Sequence, residues 1–543
     1  MATIPRLLLA LLLVPTPGCG DDTGPARVDG GPPDAGPVDA APSCPTGRRD
    51  WPLEEAVIGG DSPAFPSSEP PGGGGLPAFL WGAATAPHQV EGGNRNSDWW
   101  AWEEMGRAGG ESSDDGPNHW DHYAEDLDLM QADGMNAYRM GIEWAKVFPT
   151  RDSFDALTPD AEVVAHYHDV LAALAARGIT PMVTLHHFVS PVWWTDPGAP
   201  PEDRETMGFT SPTAAEDFRR WAEWAGAEFG GEVDLWITIN EPLVIVLAGY
   251  LQGSFPPGLV YDPSQDLLIR AVEGEIFSHA AAYDALHAVD TVDADGDGEA
   301  ALVSIAKHQR VFFGVAPCSP EDAAAAEHFR YLSNALFLNA IVRGDLDRNA
   351  DGDLDDPGDE TAHPDLVGRA DFLGVNYYSF SLINGRVHLS DLVPGIPSIT
   401  DAFTDRPKTD LGWAIYPAGF RTVLEETAAY GLPIYVTENG VADQADALRA
   451  PFLVDHLHVL AQAIEAGIDV RGYFYWSLMD NFEWAEGYCP RFGLYRVDYG
   501  DPARARTPTA GAAVYRRIIS EGRVPADLVE SAGAYGTPTL CGG

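Results

Sequence analysis

The stretch Leu432-Pro433-Ile434-Tyr435-Val436-Thr437-Glu438-Asn439-Gly440 has the pattern of a short buried strand that ends in a single carboxylate. An apolar run of β-branched and aromatic residues between Pro and Gly is typical of a core strand. Such a strand has no structural need for Glu438 at its end. Much earlier in the chain, Leu235-Trp236-Ile237-Thr238-Ile239-Asn240-Glu241-Pro242 repeats the pattern. Two strands therefore each deliver one carboxylate, Glu438 and Glu241, beside an Asn.

Paired carboxyl groups of this kind have a specific chemical use. Cleavage of a glycosidic bond needs one carboxylic acid to protonate the leaving oxygen and one carboxylate to attack or to activate water. The alternative for each Glu alone is a local salt bridge at a strand end. Because both stand beside Asn and close to aromatic residues, the pair favours the catalytic interpretation.

Strand and helix patterns alternate from about residue 76, which predicts a parallel sheet with crossover helices. The predicted strands are 79–85, 137–142, 180–185, 235–239, 302–306, 371–375, 434–437 and 472–477. Eight such strands favour a single (β/α)8 TIM barrel over residues 76–530, in which the chemistry lies at the C-terminal ends of the strands. An open doubly wound sheet is the alternative, but no Gly-rich phosphate loop follows the first strand.

The N-terminal segment 1–18 has the pattern of an export signal, with Arg6 before an apolar run too short to span a bilayer. Thr16-Pro17-Gly18-Cys19 resembles a bacterial lipoprotein cleavage box, although Thr16 departs from the usual Leu. We therefore expect lipid on Cys19, an ordinary secretory signal being the alternative. Residues 19–75 are rich in Pro, Gly and Asp and predict a disordered tether, and 531–543 a C-terminal tail. The expected location is periplasmic or on the cell surface, anchored to a bacterial membrane.

The charge balance limits the partners. With 82 acidic and 33 basic residues, the formal net charge is −49. Such a field repels nucleic acid and anionic lipid surfaces, so we expect a small-molecule substrate and membrane contact only through Cys19. In an oxidising compartment, the remaining four cysteines permit two disulfides in three pairings. The sequence does not choose among them; our working expectation joins Cys318 to Cys489 and Cys44 to Cys541.

Polar residues accompany several other predicted strands. Gln89, after the first, offers a donor and an acceptor suited to sugar hydroxyls. Arg139 lies in an apolar strand pattern and needs a carboxylate partner. If that partner is Glu438, Arg139 lowers its pKa; a structural ion pair elsewhere is the alternative. Of the adjacent His186 and His187 only one can face a site, so they are poor evidence for a metal pair.

Aromatic residues are densest around the last strand, in Tyr473-Phe474-Tyr475-Trp476-Ser477-Leu478-Met479-Asp480-Asn481-Phe482-Glu483-Trp484. Sugar rings have apolar faces and polar edges, so aromatic platforms beside carboxylates suit them. Trp476, Glu483 and Trp484 supply both, although a single Trp is more often part of a core. At the end of the sixth strand, the Tyr378 hydroxyl is a candidate partner for a carboxylate, with core packing as the alternative.

Two Asp-rich segments lie outside the barrel pattern, Asp293-Ala294-Asp295-Gly296-Asp297-Gly298-Glu299 and the segment from Asp347 to Asp355. The second carries oxygen ligands at alternate positions with Gly at the sixth, like the start of a calcium loop: Asp347, Asn349, Asp351 and Asp353. Gly358 stands at the twelfth position in place of a bidentate Glu. The second segment is therefore either a structural calcium site or a solvated acidic turn. Calcium binding has less support at the first segment.

These motifs together resemble glycoside hydrolase family 1, the retaining β-glucosidase and β-galactosidase family built on a (β/α)8 barrel. The resemblance covers about residues 76–517 and is carried by Phe79-Leu80-Trp81-Gly82-Ala83-Ala84-Thr85-Ala86, Tyr138-Arg139, Thr238-Ile239-Asn240-Glu241-Pro242, Asn376-Tyr377-Tyr378, Thr437-Glu438-Asn439-Gly440 and the stretch from Trp476 to Trp484 with Arg491-Phe492-Gly493. It implies Glu241 as acid/base and Glu438 as nucleophile. It also implies that Asn240 holds the sugar 2-hydroxyl, and that Arg139 with Tyr378 orients Glu438.

The resemblance further implies a glycone subsite made of Gln89, His187, Asn376, Trp476, Glu483, Trp484 and Phe492. The expected activity is hydrolysis of terminal β-linked sugars through a covalent glycosyl-enzyme, with no cofactor required for catalysis. Family members that act on 6-phosphorylated sugars lack the Glu483 carboxylate, so we expect an unphosphorylated glycone. Phe188 departs from the Trp common after His187. A catalytically weak carbohydrate-binding protein and a transglycosylase on the same barrel are the alternatives.

Overall fold

Eight parallel strands close into a barrel in the computed structural model, which describes residues 55–68, 78–260, 266–296, 298–316, 318–388, 397–400 and 406–541. The barrel strands are β1 (Leu80–Ala84), β2 (Ala137–Gly141), β3 (Thr180–His186), β4 (Leu235–Asn240), β5 (Leu302–Gly314), β6 (Leu373–His388), β8 (Ile434–Asn439) and β9 (Val470–Trp476). They neighbour one another in that order, and β9 pairs with β1 to close the barrel. The predicted TIM barrel is confirmed.

Three further strands lie outside the closed barrel. β7 (Pro397–Thr400) pairs with β6 in antiparallel fashion. β10 (Tyr495–Val497) and β11 (Arg506–Pro508) form a separate two-stranded sheet. β10 and β11 follow the last barrel strand and lead into the C-terminal helices.

Helices alternate with the strands. The α-helices are α1 (Pro87–Val90), α2 (Asp98–Glu104), α3 (His119–Ala132), α4 (Trp144–Val147), α5 (Arg151–Asp155), α6 (Ala161–Ala175), α7 (Pro201–Arg204), α8 (Ala214–Phe229), α9 (Pro242–Ile245), α10 (Leu267–Val289), α11 (Pro320–Arg330), α12 (Leu336–Leu338), α13 (Pro417–Ala428), α14 (Arg449–Glu465), α15 (Ala510–Glu521) and α16 (Ala526–Ala532). Short 3-10 or π segments are Ser113–Asp115, Gly208–Thr210, Val246–Leu251, Tyr331–Ala335, Asn339–Arg343 and Trp484–Glu486. Within the described ranges, we find none that is both long and apolar enough to span a membrane.

Local sequence explains where these elements begin and end. α6 starts after Asp160, whose carboxylate accepts from the backbone N–H groups of Glu162 and Val163. α8 buries Phe218, Trp221 and Phe229 on one face, at the spacing of an amphipathic helix. All six residues of β4 and all six of β8 are buried, as expected for strands covered on both sides.

Two barrel strands are longer than predicted. The expected ends were residues 306 and 375, but β5 continues to Gly314 and β6 to His388. Beyond the barrel the two strands pair with each other, and α11 packs against both. In β5, the polar run from Lys307 to Arg310 interrupts the apolar pattern on which the shorter prediction depended. The strand continues because it pairs with β6, which is distant in the chain.

The boundary of the tether also differs from the prediction. Residues 55–68 pack on the barrel, with the Phe65 ring 4.7 Å from that of Trp81 and 5.7 Å from that of Phe79. The Ser62 N–H donates to the Val524 carbonyl at 2.8 Å. Composition averaged over the Pro- and Gly-rich region does not reveal these contacts of Phe65. The predicted signal segment 1–18, with Cys19 and Cys44, lies outside the described residues.

The predicted disulfide pairing is wrong, because Cys489 is bonded to Cys541 with 5.8 Å between their Cα atoms. Cys318 is also disulfide-bonded. The C-terminal tail returns to the barrel, where the Thr539 N–H donates to the Asp410 carboxylate at 2.7 Å. This return is a long-range contact, and local sequence has no pattern that indicates it.

Candidate active site

Glu241 and Glu438 lie at the same rim of the barrel. Glu438 is the penultimate residue of β8, and Glu241 is the first residue after β4. Both carboxyl groups line one cavity, although only 6% and 3% of these residues is exposed. The Asn376 side-chain amide on β6 donates to Glu241 Oε1 at 2.8 Å. The structure therefore brings together the two carboxylates that the sequence analysis paired.

A buried guanidinium holds Glu438. Arg139 Nη1 lies 2.5 Å from Glu438 Oε1, and the Tyr378 hydroxyl donates to Glu438 Oε2 at 2.6 Å. Arg139 Nη2 also donates to Asn240 Oδ1 at 2.7 Å. The partner of Arg139 is thus the one expected, and a structural ion pair elsewhere is excluded. Tyr377, by contrast, donates to the Tyr416 carbonyl and serves packing.

The two carboxyl groups have unlike proton affinities. Burial and then the nearby negative charge of Glu438 raise the pKa of Glu241 to about 8. Burial also raises the pKa of Glu438, but the charge of Arg139 and the hydrogen bonds from Tyr378 and Arg139 oppose that rise. Among the described residues no cation lies within ion-pair distance of Glu241. At neutral pH Glu241 is therefore mostly protonated, and Glu438 is the anion of the pair.

Asn240 connects this pair to His187. Its Oδ1 accepts from Arg139 and from Asn376, at 2.7 and 3.1 Å, so its Nδ2 is the group that donates to His187 Nε2 at 3.0 Å. Because Nε2 accepts, the imidazole proton lies on Nδ1. Burial lowers the pKa of His187 well below 6.5, so the ring is neutral. The Nδ1–H group has no partner in the described part of the chain.

His186 points away from the cavity. Its Nε2 lies 3.1 Å from the Ser190 hydroxyl, and its ring packs edge-on to those of Phe209 and Phe218. The expectation that only one of the adjacent histidines faces the site is confirmed, and the structure identifies it as His187.

Trp476, Glu483 and Trp484 also line the cavity, and Gln89 lies beside Glu483. The Gln89 amide donates to the Phe482 carbonyl at 2.8 Å and to Glu483 Oε2 at 3.3 Å, while its Oε1 has no partner among the described residues. The His187 ring stacks between those of Trp476 and Trp484, at 5.6 and 6.0 Å. Aromatic faces and polar groups with unused hydrogen-bonding capacity thus border one space.

Burial, and then the charge of Glu438, raise the pKa of Glu483 to about 8. Glu483 is therefore largely protonated in the free protein at neutral pH, which weakens electrostatic repulsion as a reason to exclude a phosphorylated sugar. A second reason stands: in the described part of the chain, no Lys or Arg contacts Glu483. A phosphate placed there would have no counterion.

Several cavity residues were missed by the sequence analysis. Phe492 lines the cavity as expected, and so does Phe188, which the sequence analysis had singled out. The missed residues are Val244, Phe255, His308, Arg310 and Trp413. His308 and Arg310 were missed because β5 was predicted to end at Ala306. The alternation of His308 with Arg310 after an apolar strand is the signal that would have found them.

The backbone is strained at three positions of this cavity. Three of its residues other than Gly have positive φ: Phe188 at 66°, Glu241 at 44° and Trp484 at 49°. Such conformations cost about 1–3 kcal/mol each and persist where the surrounding structure fixes them. At Glu241 the turn redirects the chain from β4 into Pro242 and α9.

The Asp-rich segments form turns outside the barrel strands. Asp347 accepts from the backbone N–H groups of Ala350 and Gly352, and the Asn349 amide donates to Asp351. Asp353 accepts from the Asp355 N–H. Within the described ranges, Asp234, Asp293 and Asp295 form a group of three carboxylates whose oxygens lie within 4.8 Å of one another. Calcium at the Asp347 segment stays a prediction, to be checked by its effect on the melting temperature after chelator treatment.

Comparison with known proteins agrees with this geometry, because the family model for glycosyl hydrolase family 1 matches residues 76–523. This chain belongs to glycosyl hydrolase family 1. A beta-galactosidase of Pyrococcus woesei is 33% identical over 517 residues, covering 83% of this chain and 98% of that protein. Beta-glucosidase A of Thermotoga maritima is 31% identical over 460 residues, covering 78% and 94%.

Solved structures of this family have the same fold. A beta-glycosidase from Pyrococcus horikoshii superposes with a TM-score of 0.72 at 34% identity, covering 87% of this chain and 99% of that one. The beta-glucosidase from Thermotoga maritima in complex with glucoimidazole gives 0.69 at 27% identity, covering 84% and 99%. The family 1 resemblance is confirmed, and the protein is a glycoside hydrolase of the β-glycosidase type. Family 1 glycosidases are generally independent of cofactors.

The Arg139→Gln variant tests how far the site depends on the buried ion pair. Loss of the guanidinium leaves Glu438 buried without a counterion, which should lower the free energy of unfolding by about 3–5 kcal/mol. It should also lower kcat roughly 100-fold or more, because less of Glu438 remains ionised. Steady-state kinetics measures the change in kcat, and thermal unfolding measures the change in stability.

The matched control is Tyr378→Phe, which removes one hydrogen bond to Glu438, worth about 1 kcal/mol, and keeps the ion pair. If the two variants lost the same stability and the same activity, the special role given to the Arg139 charge would be wrong.

Proposed function

We propose that this protein is a retaining β-glycosidase, β-glucosidase-like, that hydrolyses terminal unphosphorylated β-linked sugars by double displacement. The observation that carries this proposal is the contrast between the two carboxyl groups of one cavity. Glu438 contacts Arg139 at 2.5 Å, whereas Glu241 has a pKa of about 8 and an amide, Asn376, as its nearest polar partner. A retaining mechanism needs one such anion and one such acid.

In the first step, a Glu438 oxygen forms a bond to the anomeric carbon as the bond from that carbon to the leaving oxygen breaks. Glu241 transfers its proton to the leaving oxygen. The electron pair of the broken bond stays with that oxygen, so a neutral alcohol departs. Tyr378 and Arg139 hold the attacking carboxylate in one orientation, since each contacts a different oxygen of Glu438.

In the second step, water attacks the anomeric carbon and the ester bond to Glu438 breaks. Ester formation has removed the negative charge that helped to raise the pKa of Glu241, so this pKa falls. Glu241, left ionised by the first step, now takes the proton from the water. The sugar leaves with its original β configuration, and Glu438 is an anion again beside Arg139.

The glycone side is built for hydroxyl groups. His187 Nδ1–H is a donor and Gln89 Oε1 an acceptor, and each is buried without a partner in the described part of the chain. A protonated Glu483 adds both a donor and an acceptor. Asn240 is in place for the 2-hydroxyl, and the rings of Trp476 and Trp484 offer apolar surfaces. The relatives named beta-galactosidase and beta-glucosidase support a neutral hexose as the glycone.

Replacement of the two carboxyl groups should separate their roles. Glu438→Gln removes the nucleophile and should abolish turnover of every substrate. Glu241→Ala should lower kcat/KM about 10²–10⁴-fold for a methyl β-glucoside, whose leaving group needs a proton. A 2,4-dinitrophenyl β-glucoside has a leaving group that needs no proton, so the rate of the first step with this substrate should change much less.

Added azide provides the control for this pair of variants. Azide attacks the glycosyl-enzyme without base assistance, so it should restore turnover of the activated substrate in Glu241→Ala but not in Glu438→Gln. Equal losses on both substrates in Glu241→Ala would contradict its role as acid. A first-formed α anomer, seen by NMR, would contradict retention.

The pH profile should report the raised pKa of Glu241. The protonated form is the active one in the first step, so kcat/KM should fall as pH rises through about 8. The fall should be weak with a 2,4-dinitrophenyl leaving group. Because the pKa of Glu483 is also about 8, the profile of Glu483→Gln is the control. If the alkaline limb vanished in that variant, the limb would belong to Glu483.

We also propose that the chain is exported and lipid-anchored at Cys19. The support is the signal pattern of residues 1–18 together with the disulfide between Cys489 and Cys541, a bond typical of oxidising compartments. In a bacterial host, Cys19→Ser should move activity from the membrane fraction to the soluble one and abolish labelling by palmitate. Thr16→Leu, which restores the usual residue, should keep both the membrane association and the palmitate labelling. If the wild-type protein were found in the soluble fraction and without label, the lipid anchor would be contradicted.

A further inference from the structure

A buried lysine lies behind the acid of the cavity and takes no part in the mechanism proposed above. Lys307 on β5 is only 2% exposed, and it is one of three lysines in the whole sequence. Burial of an ammonium group is costly unless hydrogen bonds and an opposite charge offset the loss of water. The surroundings of Lys307 show which charge that is.

Backbone pairing places Lys307 next to Glu241. The Glu241 N–H donates to the carbonyl of Ala306, the residue before Lys307, at 2.7 Å. The Lys307 ammonium donates to the His308 carbonyl at 2.8 Å. His308 pairs in turn with Asn376 on β6, whose side-chain amide donates to Glu241 Oε1. The ammonium is thus held at the stretch of β5 that adjoins Glu241.

The Lys307 side chain lies outside the cavity. His308 lines the cavity, whereas Gln309 accepts a hydrogen bond from Thr427 on α13, outside the barrel strands. Because side chains alternate along a strand, Lys307 lies on the same side of β5 as Gln309. This is the side on which α10 packs against β4 and β5. Lys307 therefore acts on the reaction through Glu241 and not by contact with the sugar.

A second carboxyl group, Glu275, approaches Lys307 from α10. Burial raises the pKa of Glu275 well above its usual range, and the charge of Lys307 opposes this rise only in part. Glu275 is fully buried, and neither of its oxygens has a hydrogen-bond partner among the described residues. A carboxyl group in such a place keeps its proton at neutral pH. Glu275 therefore supplies no negative charge, and Glu241 is the group that the ammonium can stabilise as an anion.

The charge of Lys307 acts on Glu241 against the charge of Glu438. Burial, and then Glu438, raise the pKa of Glu241. Besides the hydrogen bond from Asn376, two cations oppose this rise, and Lys307 has a larger effect than Arg139. Burial lowers the pKa of Lys307 itself to about 8, so below pH 7 the ammonium is charged.

The other titratable or charged groups around Glu241 belong to the cavity wall: Glu438, Glu483, Tyr378, His187, His308 and Arg310. Burial lowers the pKa of both histidines well below 6.5 and raises that of Tyr378 well above 10, so these three groups are neutral. Arg310 donates to the Ser381 hydroxyl, and Arg139 is bonded to Glu438. Lys307 is thus the cation that approaches Glu241 from the α10 side.

We propose that Lys307 is a positioning residue for the second step, in which its ammonium stabilises Glu241 as the anion that takes the proton from water. The proposal rests on the roles proposed above for Glu241 and Glu438. Once Glu438 carries the sugar as an ester, its negative charge is gone and Glu241 is the buried anion. The nearby ammonium then offsets the cost of holding that charge away from water.

The Lys307→Met variant tests this role with 2,4-dinitrophenyl β-glucoside. This leaving group departs fast, so kcat reports the second step, and a burst of 2,4-dinitrophenol checks that it does. The ionised form of Glu241 is the base, so kcat rises with pH through the pKa of Glu241 in the glycosyl-enzyme. Without the ammonium this acidic limb should move up by about one pH unit.

The size of the effect then depends on pH. One unit below the wild-type midpoint, kcat of Lys307→Met should be about 10-fold lower than that of the wild type, and well above the limb it should be nearly unchanged. A purely structural role of Lys307 would lower kcat by the same factor at every pH. Lys307→Gln also removes the charge and should move the limb in the same direction, so the test does not depend on the folding of one variant.

Glu275→Gln is the matched control, because it alters an equally buried side chain beside Lys307 that is already neutral. Its acidic limb should stay where it is in the wild type. Lys307→Arg keeps the positive charge and should also keep the limb. Thermal unfolding shows whether each variant is folded. An unmoved limb in folded Lys307→Met or Lys307→Gln, or an equal shift in Glu275→Gln, would overturn the proposal.

This outcome is separable from a failure of the general mechanism. If azide did not restore turnover in Glu241→Ala, or if Glu438→Gln stayed active, the roles of the two carboxyl groups would be wrong whatever Lys307 does. If those variants behaved as expected and the limb of Lys307→Met did not move, only the role of Lys307 would fall.

Discussion

A buried ion pair between Arg139 and Glu438 is the interaction on which the rest of the site depends. Arg139 is fully buried in β2, and its guanidinium bonds Glu438 of β8, Asn240 of β4 and Thr184 of β3. Removing two charges from water costs several kcal/mol for each ion, so only close contact with satisfied hydrogen bonds makes the pair tolerable. Four strands must therefore close in one register, and a TIM barrel supplies that register.

The same pair sets the protonation of its neighbours. Because Glu438 is held as an anion, its field adds to burial and raises the pKa of both Glu241 and Glu483 to about 8. One guanidinium thus leads to one carboxylate and two carboxylic acids in a single cavity. This difference in proton affinity is what double displacement requires, and it arises from placement alone, since all three residues are glutamates.

The cavity divides along the barrel. Polar and aromatic groups that follow β1, β3 and β9 lie together on one side, and they include Gln89, His187 and Trp484. The extended β5 and the loop that carries Trp413 also line the cavity. The C-terminal tail braces this second side, because it is joined to Cys489 by a disulfide and bonded to Asp410, close to Trp413. This part of the cavity wall therefore depends on long-range contacts.

The sequence by itself determined the barrel, the positions of Glu241 and Glu438 at strand ends, and the need of Arg139 for a carboxylate partner. These follow from local patterns, since a buried strand, its terminus and a charge inside it are each encoded by neighbouring residues. Only the tertiary structure decided that Cys489 pairs with Cys541, that residues 55–68 pack on the barrel, and that Arg310 lines its cavity. Each of these depends on contacts between segments distant in the chain, whose energies no local pattern contains.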